Sequence, residues 1–231
     1  MRNLILTGGI FHPFKDSSQA LQKILMKEGI KSEITEDIEF GLKNINEGDY
    51  DLLTVYALRW SMKNGSKYKP YRDQWEFNLS DSGKKSIHKF LEKGGGIFGL
   101  HTAAICFDQW KDWTSILGGK WVWGKSGHLP FGMVITRIET IKHPITDSIS
   151  NFNLEDEVFA DLKTTKDIIP LMSAKVEGQD NWHPVLWARN FSNGRIVFDA
   201  LGHDTKSINH PEHEKIIRRS ANWAIGNLKK N

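Results

Sequence analysis

The chain has 231 residues, enough for one domain with an ample core, and no shift in composition divides it. Its 31 lysines and arginines exceed its 28 aspartates and glutamates by only 3 and are scattered along the chain, so nothing favours nucleic acid as a partner. The apolar run at 4–6 is too short for a signal peptide or a membrane span, so we expect one cytoplasmic domain over residues 1–231 and no membrane partner.

The first half of the chain alternates strand and helix signals. Short apolar runs predict strands, and apolar residues spaced three and four apart predict helices. The predicted strands of this half are residues 4–7, 31–35, 51–56 and 96–100, and the predicted helices are residues 17–28, 40–45 and 81–93. The strands are apolar without alternation, which is typical of a parallel sheet buried on both faces. Residues 59–78 form a polar, aromatic-rich insertion, and its length predicts a lid or a binding loop.

The second half of the chain is more β-like. Residues 131–139 and 185–189 alternate between apolar and polar, and Asn193-Gly194 separates the second run from residues 195–201 in the manner of a hairpin. Residues 211–228 predict a closing helix. The two halves together predict an α/β fold with a mostly parallel central sheet and an antiparallel edge.

A histidine stands where the predicted central strand meets the next predicted helix. The segment 94–104 reads Gly-Gly-Gly-Ile-Phe-Gly-Leu-His-Thr-Ala-Ala, and His101 occupies the junction. In open α/β folds this junction faces the ligand crevice, where a cysteine or serine would act as a nucleophile. The sequence therefore predicts chemistry by an imidazole at this position.

Two more histidines follow predicted parallel strands. His12 comes after the first strand and His203 after the last. Because the carboxyl ends of parallel strands meet at one edge of a sheet, we expect both side chains to lie near His101 in one crevice. Three such histidines with a carboxylate also supply the ligand types of a divalent metal, although no HxH or HxxxH spacing supports one. We expect no required cofactor and leave a divalent metal open.

A cluster of tryptophans follows the central strand. Four of the chain's nine tryptophans fall within fourteen residues, and His128 follows them in a glycine-rich loop that is long enough to fold over the crevice. The sequence favours core packing for Trp110 or Trp113, because large aromatic side chains dominate burial. Trp121 and Trp123 alternate as in a strand. With His128 they are candidate substrate contacts, since pyranose faces stack on indole rings.

The order of the motifs resembles the ThuA-like (trehalose utilisation) family of the class I glutamine amidotransferase-like superfamily. The resemblance covers nearly the whole chain. It rests on Thr7-Gly8-Gly9 with His12, Gly94-Gly95-Gly96-Ile97-Phe98-Gly99-Leu100-His101, His143-Pro144-Ile145-Thr146, Asp156-Glu157-Val158-Phe159, and the segment 194–204. It implies a flavodoxin-like three-layer sandwich with helices on both faces, and a role in disaccharide or keto-sugar utilisation.

The acidic candidates are Asp156, Glu157, Asp204 and Glu155. The resemblance implies that Glu157 is a site carboxylate, so that Glu157 with His101 and His203 forms the candidate catalytic set. Asp204 joins His12 and the loop residues as a candidate substrate contact. The alternative for this acidic run is a solvated face.

Enzymes of the wider superfamily use a cysteine at the elbow, but Cys106 is the only cysteine here. It follows His101 by five residues, a rotation of about 140° on a helix, and so we expect it to be buried in the core. His210-Pro211-Glu212 spells the superfamily's histidine–acid pair, but it lies seven residues beyond His203. We interpret it as a helix start, in which His210 and His213 cap the helix or face solvent. Glutamine amide hydrolysis is therefore disfavoured.

Three functions remain open at this stage. The first is proton transfer by His101, His203 and Glu157 at a carbonyl-bearing sugar. The second is a sugar enzyme that depends on a divalent metal, and the third is a sugar-binding module without turnover. In each case the expected partner is a small-molecule carbohydrate, and a homo-oligomer is left open.

Overall fold

A computed structural model describes residues 1–228 of the chain. The strands of this part are β1 Arg2–Gly8, β2 Lys31–Thr35, β3 Leu52–Ala57, β4 Gly96–Leu100, β5 Gly119–Lys120, β6 Gly127–His128, β7 Gly132–Ile138, β8 Asn153–Asp156, β9 Phe159–Ala160, β10 Lys163–Thr164, β11 Ile169–Val176, β12 His183–Phe191 and β13 Gly194–Asp199. The α-helices are α1 Phe14–Met26, α2 Ile38–Asn44, α3 Arg72–Trp75, α4 Asp81–Glu92, α5 Lys111–Leu117, α6 Thr205–Ile208 and α7 Pro211–Ala224. Two 3₁₀ helices span Ser66–Tyr71 and His101–Ala104.

Nine strands of the described chain form one mixed sheet in the order β2-β1-β3-β4-β13-β12-β11-β7-β8. The five strands from β2 to β13 pair in parallel, and the pairings from β13 to β8 are antiparallel. The predicted α/β class and the parallel strands of the first half are confirmed. The antiparallel part is four strands wide, so it is nearly half of the sheet rather than an edge.

Strand β11 has no counterpart among the predicted elements. Its sequence carries Pro170 near the start, and the pairing register with β12 shifts between Pro170 and Ser173. Proline removes a hydrogen-bond donor from a ladder, and a bulge breaks the period-two pattern that marks a strand in sequence. A strand in the middle of the antiparallel half was therefore hard to find.

The glycines of β4 allow other elements to approach the sheet closely. A Cβ atom on Gly96 would lie 2.4 Å from the backbone oxygen of Ala224 in α7, and one on Gly99 would lie 2.6 Å from the side chain of Leu117 in α5. Helix α7 contacts β4 and β13, and it also packs against α1. Helix α2 packs against α4, which begins at Asp81 as predicted. The Ser80 side chain caps α4 by accepting a hydrogen bond from the backbone nitrogen of Gly83 at 3.0 Å.

The segment after β4 is not the predicted helix. A 3₁₀ turn occupies His101–Ala104, and the next α-helix begins only at Lys111. The carbonyl oxygens of this segment accept hydrogen bonds from distant groups: Ala103 from the indole of Trp113 at 2.9 Å, and Ala104 from the backbone nitrogen of Trp121 at 2.9 Å. Because these carbonyls have tertiary partners, the segment does not form the ladder of an α-helix.

The parallel half of the sheet brings four loops to one edge. These loops follow β1, β3, β4 and β13. No helix among residues 1–228 combines the length and the hydropathy that a membrane crossing requires.

Candidate active site

The loops at the carboxyl ends of the parallel strands surround a cavity of about 240 Å³. Its aromatic lining consists of Phe11, Trp60, Tyr68, Trp121, Trp123 and Phe159. Its polar lining includes His12, Lys67, Thr102, His128, Glu157 and His203. Six of the eight predicted site residues therefore line the cavity. Of the other two, His101 lies beneath the lining and contacts His12, whereas Asp204 lies outside.

His101 is fully buried at the end of β4. Its φ angle is +49°, in the left-handed region that costs a non-glycine residue roughly 1–3 kcal/mol. Its Nδ1–H donates to the carbonyl oxygen of Ala200 at 2.7 Å, and its ring stacks on Phe159 with centroids 4.7 Å apart. The hydrogen bond fixes the tautomer, so that in the neutral ring Nε2 carries a lone pair.

The Nε2 atom of His12 faces the Nε2 atom of His101. The two Nε2 atoms are 3.1 Å apart, and the Nδ1 of His12 lies 3.2 Å from the carbonyl oxygen of Ile10. Because a carbonyl only accepts, this Nδ1 carries the proton and the Nε2 of His12 is also bare in the neutral ring. Burial and the neighbouring His101 lower the pKa of His12 to about 3, and burial lowers the pKa of His101 to about 4. Both rings are neutral near pH 7, and their lone pairs face each other.

Glu157 faces three histidines. Its Oε2 lies 3.3 Å from the Nδ1 of His203 and 3.8 Å from the Nε2 of His101, and its Oε1 lies 3.5 Å from the Nδ1 of His128. Burial raises the pKa of Glu157, but the contacts with His203 and His101 outweigh it and bring the pKa to about 2. The carboxylate is therefore ionised at neutral pH, as a site carboxylate requires.

His203 differs from His12 and His101 in its charge preference. The carboxylate of Glu157, 3.3 Å from its Nδ1, raises its pKa against the opposing effect of burial. Its side chain is 21% exposed, so solvent reaches the ring. His203 is thus the ring of this cluster that is best suited to gain and lose a proton near neutral pH.

Asp156 holds the loop of His203 from below and does not face the cavity. It is fully buried, and its carboxylate accepts hydrogen bonds from the backbone nitrogens of Gly202 at 2.8 Å and His203 at 3.2 Å, and also from the hydroxyl of Ser207. The backbone nitrogen of Glu157 also donates a hydrogen bond to this carboxylate, at 2.7 Å. This carboxylate therefore joins the end of β8 to the loop after β13.

The structure places Asp204, a predicted substrate contact, at the start of a helix. Its carboxylate caps α6 by accepting from the backbone nitrogens of Lys206 at 2.9 Å and Ser207 at 3.1 Å. A short acidic side chain just before a helix commonly makes this contact. The same signal in the sequence fits a cap as well as a ligand, and here the cap is formed.

Trp121 and Trp123 both line the cavity, although the strand that precedes them ends at Lys120. Trp121 packs edge-on against Phe159 with centroids 5.4 Å apart. Trp123 stacks on Trp60 with centroids 6.3 Å apart and planes inclined by 22°. Trp113, in contrast, is buried in the core, in agreement with its prediction.

The insertion at 59–78 supplies part of the cavity wall. Trp60, Lys67 and Tyr68 come from this insertion, and the rings of Trp60 and Tyr68 meet edge-on with centroids 5.1 Å apart. The insertion that the sequence predicts as a lid or a binding loop therefore lines the cavity. Which of its residues reach the cavity was not evident, because the contacts depend on the 3₁₀ helix at Ser66–Tyr71.

Cys106 is buried as predicted, although the segment that carries it is not helical. It is 1% exposed, and its Sγ lies 2.9 Å from the carbonyl oxygen of Ala57. Burial raises the pKa of the thiol to about 12, so it is not a thiolate at neutral pH.

The interpretation of His213 as a capping or solvent-facing residue is wrong. Its ring is fully buried in α7, where Nε2 lies 3.1 Å from a carboxylate oxygen of Asp199 and Nδ1 lies 2.8 Å from the carbonyl oxygen of Ser207. His210 precedes the helix without capping it and stacks on Phe152. The buried acid on β13 gave no signal in the sequence, because a lone aspartate at a strand end is common.

The family model for ThuA, described as trehalose utilisation, matches residues 2–224. This chain belongs to the ThuA family. No curated protein matches the sequence significantly.

Solved structures similar to this ThuA-family chain include two ThuA-like proteins. One, from Parabacteroides merdae, is 16% identical with a TM-score of 0.78 over 100% of this chain and 92% of the other. The second, from Bacteroides uniformis, is 17% identical with a TM-score of 0.72 over 99% and 93%. A cytoplasmic protein from Salmonella typhimurium is 12% identical with a TM-score of 0.65 over 100% of both chains. At these identities the structures show a shared fold, and the family suggests a role in carbohydrate utilisation.

Proposed function

We propose that this protein is a carbohydrate-utilisation enzyme that transfers protons to and from a carbonyl-bearing sugar, a disaccharide or keto-sugar, without a cysteine nucleophile. The observation that carries the proposal is the position of Glu157, an ionised carboxylate that faces three imidazoles at the edge of an aromatic cavity. Family membership supports the substrate class.

The shape and lining of the cavity support a sugar ring as the ligand. Its volume of about 240 Å³ is below the roughly 300–1,000 Å³ of pockets for drug-sized ligands, so one ring fits better than a whole disaccharide. Trp121 and Trp123 offer apolar faces for the C–H surface of a pyranose, and Lys67 offers a donor for its hydroxyl groups. A second ring of a disaccharide would extend outward from the opening.

The chemistry follows from the His203–Glu157 pair. His203 takes a proton from the carbon next to the sugar carbonyl, and Glu157 stabilises the imidazolium that forms. The C–H electron pair forms a double bond to the carbonyl carbon, and the carbonyl π pair moves to oxygen, which gives an enediolate. Return of the proton from His203 to the former carbonyl carbon, with transfer of the neighbouring hydroxyl proton through water to the original carbonyl oxygen, gives an isomer. Expulsion of an oxygen substituent from the next carbon, with that oxygen taking the proton from His203, gives elimination. Neither outcome needs a redox partner.

Turnover of a panel of disaccharides and their keto derivatives, followed by mass spectrometry, tests the proposal. We expect product from at least one keto-sugar, and a loss of roughly 10²- to 10⁴-fold in kcat for Glu157→Gln. Tight sugar binding by calorimetry without turnover would instead identify a binding module and overturn the enzymatic proposal.

Three finer points belong to the same proposal. The parallel strand order 2-1-3-4-13 supports a flavodoxin-like arrangement, whose neighbouring strands run in the order 2-1-3-4-5. Membership of the class I glutamine amidotransferase-like superfamily would make His101 the structural counterpart of that superfamily's elbow cysteine, and its positive φ supports this. We also propose one domain in the cytoplasm, a compartment that the Salmonella protein's description names for that protein.

A further inference from the structure

The Nε2 atoms of His12 and His101 face each other, and in the neutral rings neither atom has a proton to donate to the other. They are 3.1 Å apart, and the Nδ1 atoms of both rings point at carbonyl oxygens, those of Ile10 and Ala200. Two neutral rings therefore place two lone pairs against each other in a half-buried site, which is unfavourable. A positive species between or beside the two nitrogens removes the conflict.

We propose that His12, His101 and Glu157 bind one divalent transition-metal ion of the zinc type. Together with a nitrogen of His203, their ligand atoms all lie within 4.8 Å of one another. Two histidines and one carboxylate are a known ligand set for catalytic zinc, which leaves a fourth position for water or substrate. The chemistry of this proposal rests on the proposed carbohydrate function, whereas the binding itself does not.

The distances agree with such an ion. Nitrogens 3.1 Å apart, each about 2.05 Å from a cation, subtend about 98° at it, between the octahedral and tetrahedral angles. The Oε2 of Glu157 is 3.8 Å from the Nε2 of His101, against about 3.3 Å between ligands of a tetrahedral zinc ion. A side-chain shift of about half an ångström in Glu157 closes this gap.

The surroundings of the rings match those of metal ligands. Metal-binding histidines almost always donate their second N–H to a carbonyl, carboxylate or water, and both rings donate to backbone carbonyls. His203 holds Glu157 from the other side, at 3.3 Å from the same oxygen that faces His101. A cation in this position supplies a Lewis acid that polarises the sugar's carbonyl oxygen, and His203 stays available for proton transfer.

Calorimetric titration of the chelator-treated, untagged chain with ZnCl₂ and then CoCl₂ tests the proposal. We expect one ion per chain, and a visible absorption band with cobalt that zinc displaces. His12→Gln and Glu157→Gln are each expected to weaken the affinity at least about 100-fold. The matched control is His88→Gln, because His88 lies 3.3 Å from the carboxylate of Asp112 on the surface, away from the cavity. Its affinity for zinc should equal that of the wild type.

His101→Gln provides a second variant, and circular dichroism of each metal-free variant establishes that it folds. If the wild type binds no zinc, the proposal is overturned. Affinity that persists in both His12→Gln and His101→Gln overturns it as well. The titration contains no sugar, so its failure leaves the proposed function intact. Conversely, stoichiometric zinc binding without turnover of any sugar counts against the proposed function alone.

Discussion

Two histidine–carboxylate pairs lie near the end of β13, and their surroundings differ. His213 and Asp199 are both fully buried, with ring and carboxylate 3.1 Å apart, and the second ring nitrogen of His213 also has a partner. His203 and Glu157 are 3.3 Å apart at the cavity, and two more histidines face the same carboxylate. The distances are nearly equal, so distance alone does not separate a site from a structural pair.

The difference lies in what remains unsatisfied. The buried pair uses its hydrogen-bonding groups inside the protein, and Ser207 links it to Asp156, which holds the loop of His203. Solvent reaches the cavity pair. This pair adjoins the Nε2 atoms of His12 and His101, and neither of these atoms receives a hydrogen bond from a donor when both rings are neutral. This difference is consistent with a structural role for the buried pair and favours the cavity pair as the place of the proposed chemistry.

The largest expected effect concerns the cavity pair. His203→Gln removes the group that we propose moves protons, and kcat should fall roughly 10²- to 10⁴-fold while the thermal midpoint changes little. Steady-state kinetics on the keto-sugar found by screening, together with a thermal melt, give both quantities. Retention of wild-type kcat would show that the pair has no part in the reaction.

The buried pair should show the reverse pattern. His213→Gln leaves the Asp199 carboxylate buried without its partner, and such losses cost about 3–5 kcal/mol of unfolding free energy. Urea denaturation at pH 7 measures this. Glu157→Gln, the matched change in the cavity pair, should cost less than His213→Gln, because it removes the charge itself and leaves no buried carboxylate without a partner. Equal losses of unfolding free energy in the two variants would show that the two pairs contribute alike to stability, which would contradict the comparison.

Stability should also depend on pH through His213. Burial lowers the pKa of His213, but the charge and hydrogen bond of Asp199, with Asp156 nearby, outweigh it, so the pKa is raised. The resulting stabilisation is fully present below the unfolded pKa of about 6.5 and is lost as the pH rises through the folded pKa. Urea curves at pH 6 and pH 9 should therefore show a larger gap between the wild type and His213→Gln at pH 6. A difference in unfolding free energy between the wild type and His213→Gln that grows toward pH 9 would contradict this prediction.

A smaller effect is expected from the cavity wall. Trp123→Ala removes one aromatic face, worth about 0.5–1.5 kcal/mol, so KM should rise roughly 2- to 10-fold while kcat is retained. Trp182→Ala is the control, since Trp182 packs against Arg137 and Lys175, away from the cavity. Equal KM values in Trp123→Ala and Trp182→Ala would show that Trp123 does not contact the sugar.

The smallest effect is expected from the thiol. Cys106 is buried with a pKa raised to about 12, so Cys106→Ala should keep kcat within about twofold of the wild type. Activity assays before and after alkylating the native wild-type chain provide a second check. Loss of activity in Cys106→Ala with an unchanged melting curve would show that the Cys106 thiol takes part in the reaction.

The parallel half of the molecule was predictable because its strands are short apolar runs with clear ends. His12, His101 and His203 were expected to meet because each follows a parallel strand, and the structure brings them together. Their meeting depends only on the topology of the sheet, which the alternation of strands and helices indicates.

Other features depend on long-range contacts that leave no local pattern. The partnership of His213 with Asp199 joins two elements through the core, and α7 would show the same apolar spacing without it. The facing lone pairs of His12 and His101 follow from hydrogen bonds to Ile10 and Ala200, which only the fold determines. Asp204 and Glu157 were not distinguishable in the sequence, because a helix cap and a ligand both need an acidic side chain.

Hydrogen exchange at the sugar separates proton transfer from binding alone. The wild type is incubated with the keto-sugar in deuterated water, and mass spectrometry follows the C–H group next to the carbonyl. Because His203 is reached by solvent, the account predicts that the sugar gains deuterium at that carbon at a rate that falls at least about 100-fold in His203→Gln and is unchanged in His88→Gln. A sugar that binds in the cavity but gains no deuterium from the wild type would contradict it.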